Sequence, residues 1–229
     1  SGAMGAGVDD GVNFESKVED RLNRDHAGGR FATYEWLNFS VSGFDLIRRI
    51  GILQQTGLGF EPDVAILISV GLKDSHKMID QLSKQVRNGQ PLPYPFLEEI
   101  QGKTGIETGM TESEIRRRLM PHRWSLMEQA YRYLTELCRS HGVKPVWAFM
   151  PVTSRPTDRQ ALARARQLAE ECGFITLSMD GAFDGIASDR LSIARWDGHP
   201  NALAHQQLAD RLYEELLRLD DDLEMGLSP

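Results

Sequence analysis

The stretch Val64-Ala65-Ile66-Leu67-Ile68-Ser69-Val70 constrains the fold of this chain more than any other segment. Apolar residues follow one another instead of alternating with polar ones, so a strand built from them must be covered on both faces. Pro62-Asp63 launches the run and Gly71-Leu72-Lys73-Asp74 ends it. A doubly covered strand implies a parallel sheet between two layers of helices, and the rest of the sequence is patterned to supply both.

Phe14, Val18 and Leu22 recur at helical spacing, and Gly28-Gly29 closes that helix. Residues 33–41, rich in aromatic and β-branched types, predict a strand, followed by a turn at Gly43 and a helix through Leu46, Ile47, Ile50 and Leu53. After the Val64 strand a helix is expected to about Arg87. From Asn88 to about Pro121 glycine and proline break the periodicity, which predicts a loop or lid insertion. Thr111 and Glu114 have capping-box spacing, Pro121 interrupts, and a second helix runs to His141 with Gly142 behind it. Lys144 to Met150 predicts the third strand, 157–172 a helix, Phe174 to Leu177 a fourth strand, and Asn201 begins a closing helix with Leu208, Leu212 and Leu216 on one face. The expected fold is a three-layer α/β/α sandwich with a mostly parallel sheet, one domain over residues 1–229.

Composition narrows the functional classes. Lys and Arg number 26 against 33 Asp and Glu, a net charge of −7, with no basic stripe carrying interleaved aromatics, so nucleic acid is not an expected partner. The longest apolar run falls far short of the roughly 20 residues that span a bilayer. Cys138 and Cys172 both lie on helical patterns, and neither they nor His26, His76, His122, His141 and His205 form a spaced metal set, so no metal or other cofactor is expected. Trp124, Trp147 and the methionines have core-like spacing, and Arg116-Arg117-Arg118 reads as a solvated helix face. The chain as given reads as cytoplasmic. Ser1-Gly2-Ala3-Met4 looks like a tag remnant or start-codon region, so a removed signal peptide or an upstream anchor would lie out of view.

In open α/β sheets ligands sit beyond the C-terminal strand ends, which directs attention to the turns at Ser42-Gly43, Gly71 to Asp74 and Pro151 to Arg155, and to the late loop with Asp197 and His199. His199 stands between a glycine and a proline just before a helix. A carboxylate two residues earlier could take its Nδ1 proton and leave Nε2 to deprotonate a nucleophile. The plain alternative is a helix-start histidine and a turn-forming aspartate.

Asp197-Gly198-His199-Pro200-Asn201-Ala202-Leu203-Ala204-His205 resembles the last block of the SGNH (GDSL-type) hydrolases, in which His and Asp complete a triad with Ser. Asn38-Phe39-Ser40-Val41-Ser42-Gly43 resembles the family's second block, whose glycine N–H binds the oxyanion. Ile68 to Asp74 resembles the third block, a strand followed by Gly-x-Asn-Asp. Two departures stand out. Lys73 occupies the position of the oxyanion asparagine, beside a matching Asp74. The nucleophile block is truncated: Gly5-Ala6-Gly7-Val8-Asp9-Asp10 resembles the stretch after the nucleophile, and counting back puts that position at Ser1, without the Gly-Asp and the strand that precede it in the family. The Asp197 spacing also differs, which leaves Asp184 and Asp189 as alternative partners of His199.

The resemblance implies an esterase or acyl hydrolase in which His199 is the general base, Asp197 orients it, Ser1 is the nucleophile, and Gly43, Lys73 and Asp74 line the oxyanion and substrate site. The substrate would be a small ester or acylated molecule. Two alternatives are a degenerate family member that uses the same cleft for binding, and an O-acyltransferase acting on a carbohydrate or lipid. The family's sheet also has a central strand before the nucleophile that is absent here. Either upstream residues or a strand from another chain, as in a homodimer, would fill that gap.

Overall fold

The computed structural model describes residues 2–154 and 156–227. A turn-rich opening leads into α1 (Phe14–His26), then α2 (Leu46–Gln55), β1 (Val64–Ser69), α3 (Leu72–Arg87), α4 (Pro95–Thr104), α5 (Glu112–Leu119) and α6 (Arg123–Ser140). β2 (Lys144–Phe149), α7 (Arg159–Glu171) and β3 (Ile175–Ser178) follow, then a hairpin of β4 (Ser192–Ala194) and β5 (Asp197–Pro200), and finally α8 (Ala202–Arg218) and α9 (Asp220–Leu223). The main sheet runs β1-β2-β3, all parallel, with Val64 opposite Lys144 and Val146 opposite Ile175.

Strand alternation divides the core. Leu67, Trp147 and Phe149 face Ile50 of α2, Met78 and Leu82 of α3, Met127 and Leu134 of α6, and Ala165 and Ala169 of α7. Val146, Ala148 and Leu177 face the opposite way, onto Phe14, Val18 and Leu22 of α1 and Leu208, Leu212 and Leu216 of α8. The buried indole of Trp147 places its N–H 2.8 Å from the Tyr131 hydroxyl, so the largest core side chain has its polar atom satisfied. The three-layer α/β architecture expected from the Val64 run is therefore present.

Two expectations fail. Residues 33–41 form no strand and join no sheet among the described residues. Their backbone groups are taken up by α1 side chains instead: Asn23 accepts from Tyr34 N at 2.8 Å and donates to Tyr34 O at 2.7 Å, and Glu19 accepts from Trp36 N at 2.6 Å. Tyr34 and Trp36 pack on the α1/α8 face of the core, which accounts for their apolar character without a ladder. The 88–121 stretch is likewise not an irregular lid. Pro95 starts α4, and Phe96, Leu97 and Ile100 are buried in the same core as α3 and α6.

Among the described residues, β1 is an edge strand. Asp63 O and Ser69 O accept from Lys144 N and Met150 N, so the odd-numbered residues bond toward β2 and Val64, Ile66 and Ile68 turn theirs outward. Arg49 covers part of this edge, its guanidinium donating to Ile68 O at 2.8 Å.

Candidate active site

The Asp197–His199 motif forms β5 rather than a loop. It pairs with β4 across an irregular register, Ser192 opposite Pro200 and Ala194 opposite Asp197. Side chains two apart on a strand lie on one side, and here this brings carboxylate and imidazole together. Asp197 Oδ1 lies 2.5 Å from His199 Nδ1 and also accepts the His199 backbone N–H at 3.0 Å. These bonds from the His199 backbone and ring hold the Asp197 carboxyl below the usual carboxylate range. An ionised partner at Nδ1 places the ring proton there and makes Nε2 the basic nitrogen. The two side chains are 38% and 39% exposed, open enough to meet a substrate.

The hairpin is tied down at both ends. Asn201 caps α8 by accepting from Ala204 N, while its amide donates to Arg190 O at 2.8 Å and Ser192 O at 3.2 Å. On the other side, the Thr153 hydroxyl donates to Gly198 O at 2.6 Å. Gly198 itself leaves little room: a Cβ there would stand 3.2 Å from the Ser154 Cβ.

The other sequence candidates converge on the same end of the sheet by a different route. Arg49 donates to Phe44 O as well as Ile68 O and pairs with Asp74 at 3.4 Å, which draws the Gly43 turn toward the end of β1. Gly43 has φ +79°, a left-handed turn conformation that favours glycine. Lys73 is exposed on the first turn of α3. Asp74 is not: it is 2% exposed, accepting from the Ser69 hydroxyl at 2.8 Å and Val70 N at 3.0 Å. That network closes the end of β1 and gives Asp74 a structural task there.

Ser1 lies outside the described residues. Its neighbour Gly2 packs beside Met150 and Pro200, and Ala3 O accepts from the Asn38 amide at 2.9 Å. The opening of the chain thus joins the loop before Gly43 to the strand that carries His199. Asp184 and Asp189 lie in the segment before β4, and neither supplies the 2.5 Å contact that Asp197 makes.

His205, one turn into α8, is fully buried and accepts from Phe14 N at 3.2 Å, an anchor for the start of α1. Burial pulls its pKa down to about 4. Cys138 and Cys172 are free and buried, and burial pushes both thiols up to about 11. No group of three or more His, Cys, Asp or Glu suited to a metal ion occurs among the described residues, and no helix among them is long and apolar enough to cross a membrane. Sequence reasoning singled out the turn that holds Thr153 but neither Thr153 itself nor Ser192, whose mutual contact and bond to Gly198 O exist only because distant segments meet. Asn201 carried a readable signal, an N-cap residue directly before a helix.

The sequence matches no protein-family model and no curated protein. Its fold has counterparts among solved structures. LAE5, an alpha/beta hydrolase enzyme from the metagenome of Lake Arreo, Spain, superposes with a TM-score of 0.58 at 16% identity, over 94% of this chain and 91% of that one. A catalytic mutant of Axe2, an acetylxylan esterase from Geobacillus stearothermophilus, superposes with a TM-score of 0.54 at 14% identity, over 89% of this chain and 80% of that one. At such identities the likeness concerns the fold, an α/β architecture that these hydrolases share with this chain.

Proposed function

We propose that the chain is an SGNH-type esterase or acyl hydrolase, and the Asp197–His199 contact is the observation that carries this reading. His199 Nε2 would remove the proton from a serine hydroxyl as it attacks the ester carbonyl. The tetrahedral oxyanion collapses with loss of the alcohol, which takes that proton from the imidazolium. Water, deprotonated by the same imidazole, then releases the acid from the acyl-serine. Asp197 keeps the ring in the productive tautomer and stabilises its charge. Gly43 N–H and Lys73 are assigned to the oxyanion, Lys73 as a point charge in place of an amide.

The nucleophile is assigned to Ser1. Supporting this, a Cβ on Gly2 would stand 3.9 Å from the ring of Pro200, the residue after His199. The acetylated sugar on which the Axe2 neighbour acts suggests a small O-acyl ester as substrate. The test is hydrolysis of p-nitrophenyl acetate: His199→Ala and Ser1→Ala should each lower kcat by about 100-fold or more, the scale of losing a general base or a nucleophile. A wild-type rate in His199→Ala would remove the imidazole from the mechanism.

A second reading is a binding domain without catalysis, favoured by the enclosure of Asp74 in a structural network and by the exposed lysine where an amide donor is expected. It predicts saturable binding of acylated sugars with no turnover in the intact chain.

A further inference from the structure

We propose that Thr153 is a positioning residue for the Asp197–His199 pair, acting through the carbonyl of the residue between them; the proposal rests on the hydrolase reading above. Thr153 lies four residues beyond β2 and is 4% exposed, so it is not placed to touch a substrate. Its hydroxyl joins three segments. It donates to Gly198 O on β5 at 2.6 Å and accepts from the Ser192 hydroxyl on β4 at 3.1 Å, while its own backbone continues from the central strand of the sheet.

The carbonyl it holds belongs to the peptide whose N–H is that of His199. A peptide unit is planar, so fixing Gly198 O also fixes the direction of His199 N–H. That N–H donates to Asp197 Oδ1, the same oxygen that holds the ring at Nδ1. One hydroxyl therefore sets the tilt of the unit on which both catalytic bonds depend. Ser192 donating into Thr153 polarises it further, so the two hydroxyls act as a short cooperative chain ending on Gly198 O. A β-branched side chain suits this task because few χ1 rotamers are open to it. The short hairpin, with its irregular register, has little rigidity of its own to offer.

The test compares Thr153→Val, which keeps the shape and removes the hydroxyl, with Thr153→Ser, which keeps the hydroxyl. A misplacement of about 1 Å costs up to 100-fold in rate. Thr153→Val should therefore lower kcat on p-nitrophenyl acetate by about 10-fold to 100-fold. KM should stay near the wild-type value, and Thr153→Ser should recover most of kcat. The second readout is the proton NMR signal of His199 Nδ1–H, expected downfield in wild type and Thr153→Ser and lost to exchange in Thr153→Val. A merely structural threonine would shift the melting temperature and leave both readouts unchanged, and that result overturns the proposal. Should Thr153→Val fail to fold, Ser192→Ala removes the donor into Thr153 and should lower kcat severalfold with a broadened Nδ1–H signal; wild-type behaviour in it likewise overturns the proposal. If the wild type and His199→Ala hydrolyse the ester equally, the hydrolase reading fails, and the NMR comparison alone decides whether Thr153 positions the pair.

Discussion

Replacing Asp74 by alanine removes a carboxylate that accepts from two donors and pairs with Arg49 at the end of β1. The Ser69 hydroxyl at 2.8 Å and Val70 N at 3.0 Å both bond to Oδ2, and Arg49 faces Oδ1 at 3.4 Å. Ser69 is itself 0% exposed and accepts from Gly71 N at 3.1 Å, so the loss spreads into the turn that opens α3. Hydrogen bonds to charged groups contribute about 1.5–3 kcal/mol each, and removing one partner of a buried ion pair costs about 3–5 kcal/mol. These values overlap, since they describe one carboxylate, and Arg49 is 27% exposed and regains water. The expected destabilisation of Asp74→Ala is therefore about 3–5 kcal/mol, which for a chain of this size lowers the melting temperature on the order of 10 °C. Asp74→Asn keeps an oxygen for Ser69 and Val70 but loses the charge and turns an amide NH2 toward the partly exposed Arg49, so about 1–2 kcal/mol is expected. Urea unfolding followed by tryptophan fluorescence measures both, with the midpoint falling at constant slope. A wild-type midpoint for Asp74→Ala would refute the network. A raised KM at unchanged stability in Asp74→Asn would return the residue to the substrate-binding role.

Lys73→Ala should leave the melting temperature unchanged, because the side chain is exposed, yet lower kcat by up to about 3 kcal/mol of barrier if the ammonium serves the oxyanion; an unchanged kcat places it outside the site. Amide exchange should show Ile66 N–H, turned to the open edge of β1, losing its proton far faster than Leu67 N–H, which is bonded toward β2; equal protection would mean that another strand covers the edge. Glu15 is buried, and desolvation raises its pKa to about 8 from 4.5. The folded state then binds more protons than the unfolded one between these values, so stability falls as pH rises, by up to about 1.4 kcal/mol per unit, and levels off above the folded pKa. His205, lowered from 6.5 to about 4, acts oppositely, losing stability as pH falls through that range, so the window above pH 6.5 isolates Glu15. Glu15→Gln should abolish the slope there in urea titrations, and an unaltered slope would assign it to another group.

What was legible in the sequence was local. The Val64 run indicated a strand covered on both faces because it is short, β-branched and bounded by Pro62 and Gly71, and Phe14, Val18 and Leu22 identified the face of α1 because helical spacing depends on nothing outside the helix. The Asp197/His199 pair was visible for the same reason, two residues within the reach of one strand repeat. Partnership was not legible. Residues 33–41 have the composition of a strand, but pairing depends on a neighbour with open backbone groups, and α1 side chains supply the bonds first. The helix Pro95–Thr104 was concealed by surrounding glycine and proline and exists because Phe96, Leu97 and Ile100 find the core beside α6. Lys73 and Asp74, adjacent in the chain, separate into an exposed ammonium and a buried carboxylate because Arg49, Ser69 and the end of β1 surround only one of them. Thr153 joins Gly198 across 45 positions of sequence. Such contacts come from the closing of the fold, where burial and hydrogen-bond satisfaction are decided between segments that no short pattern connects.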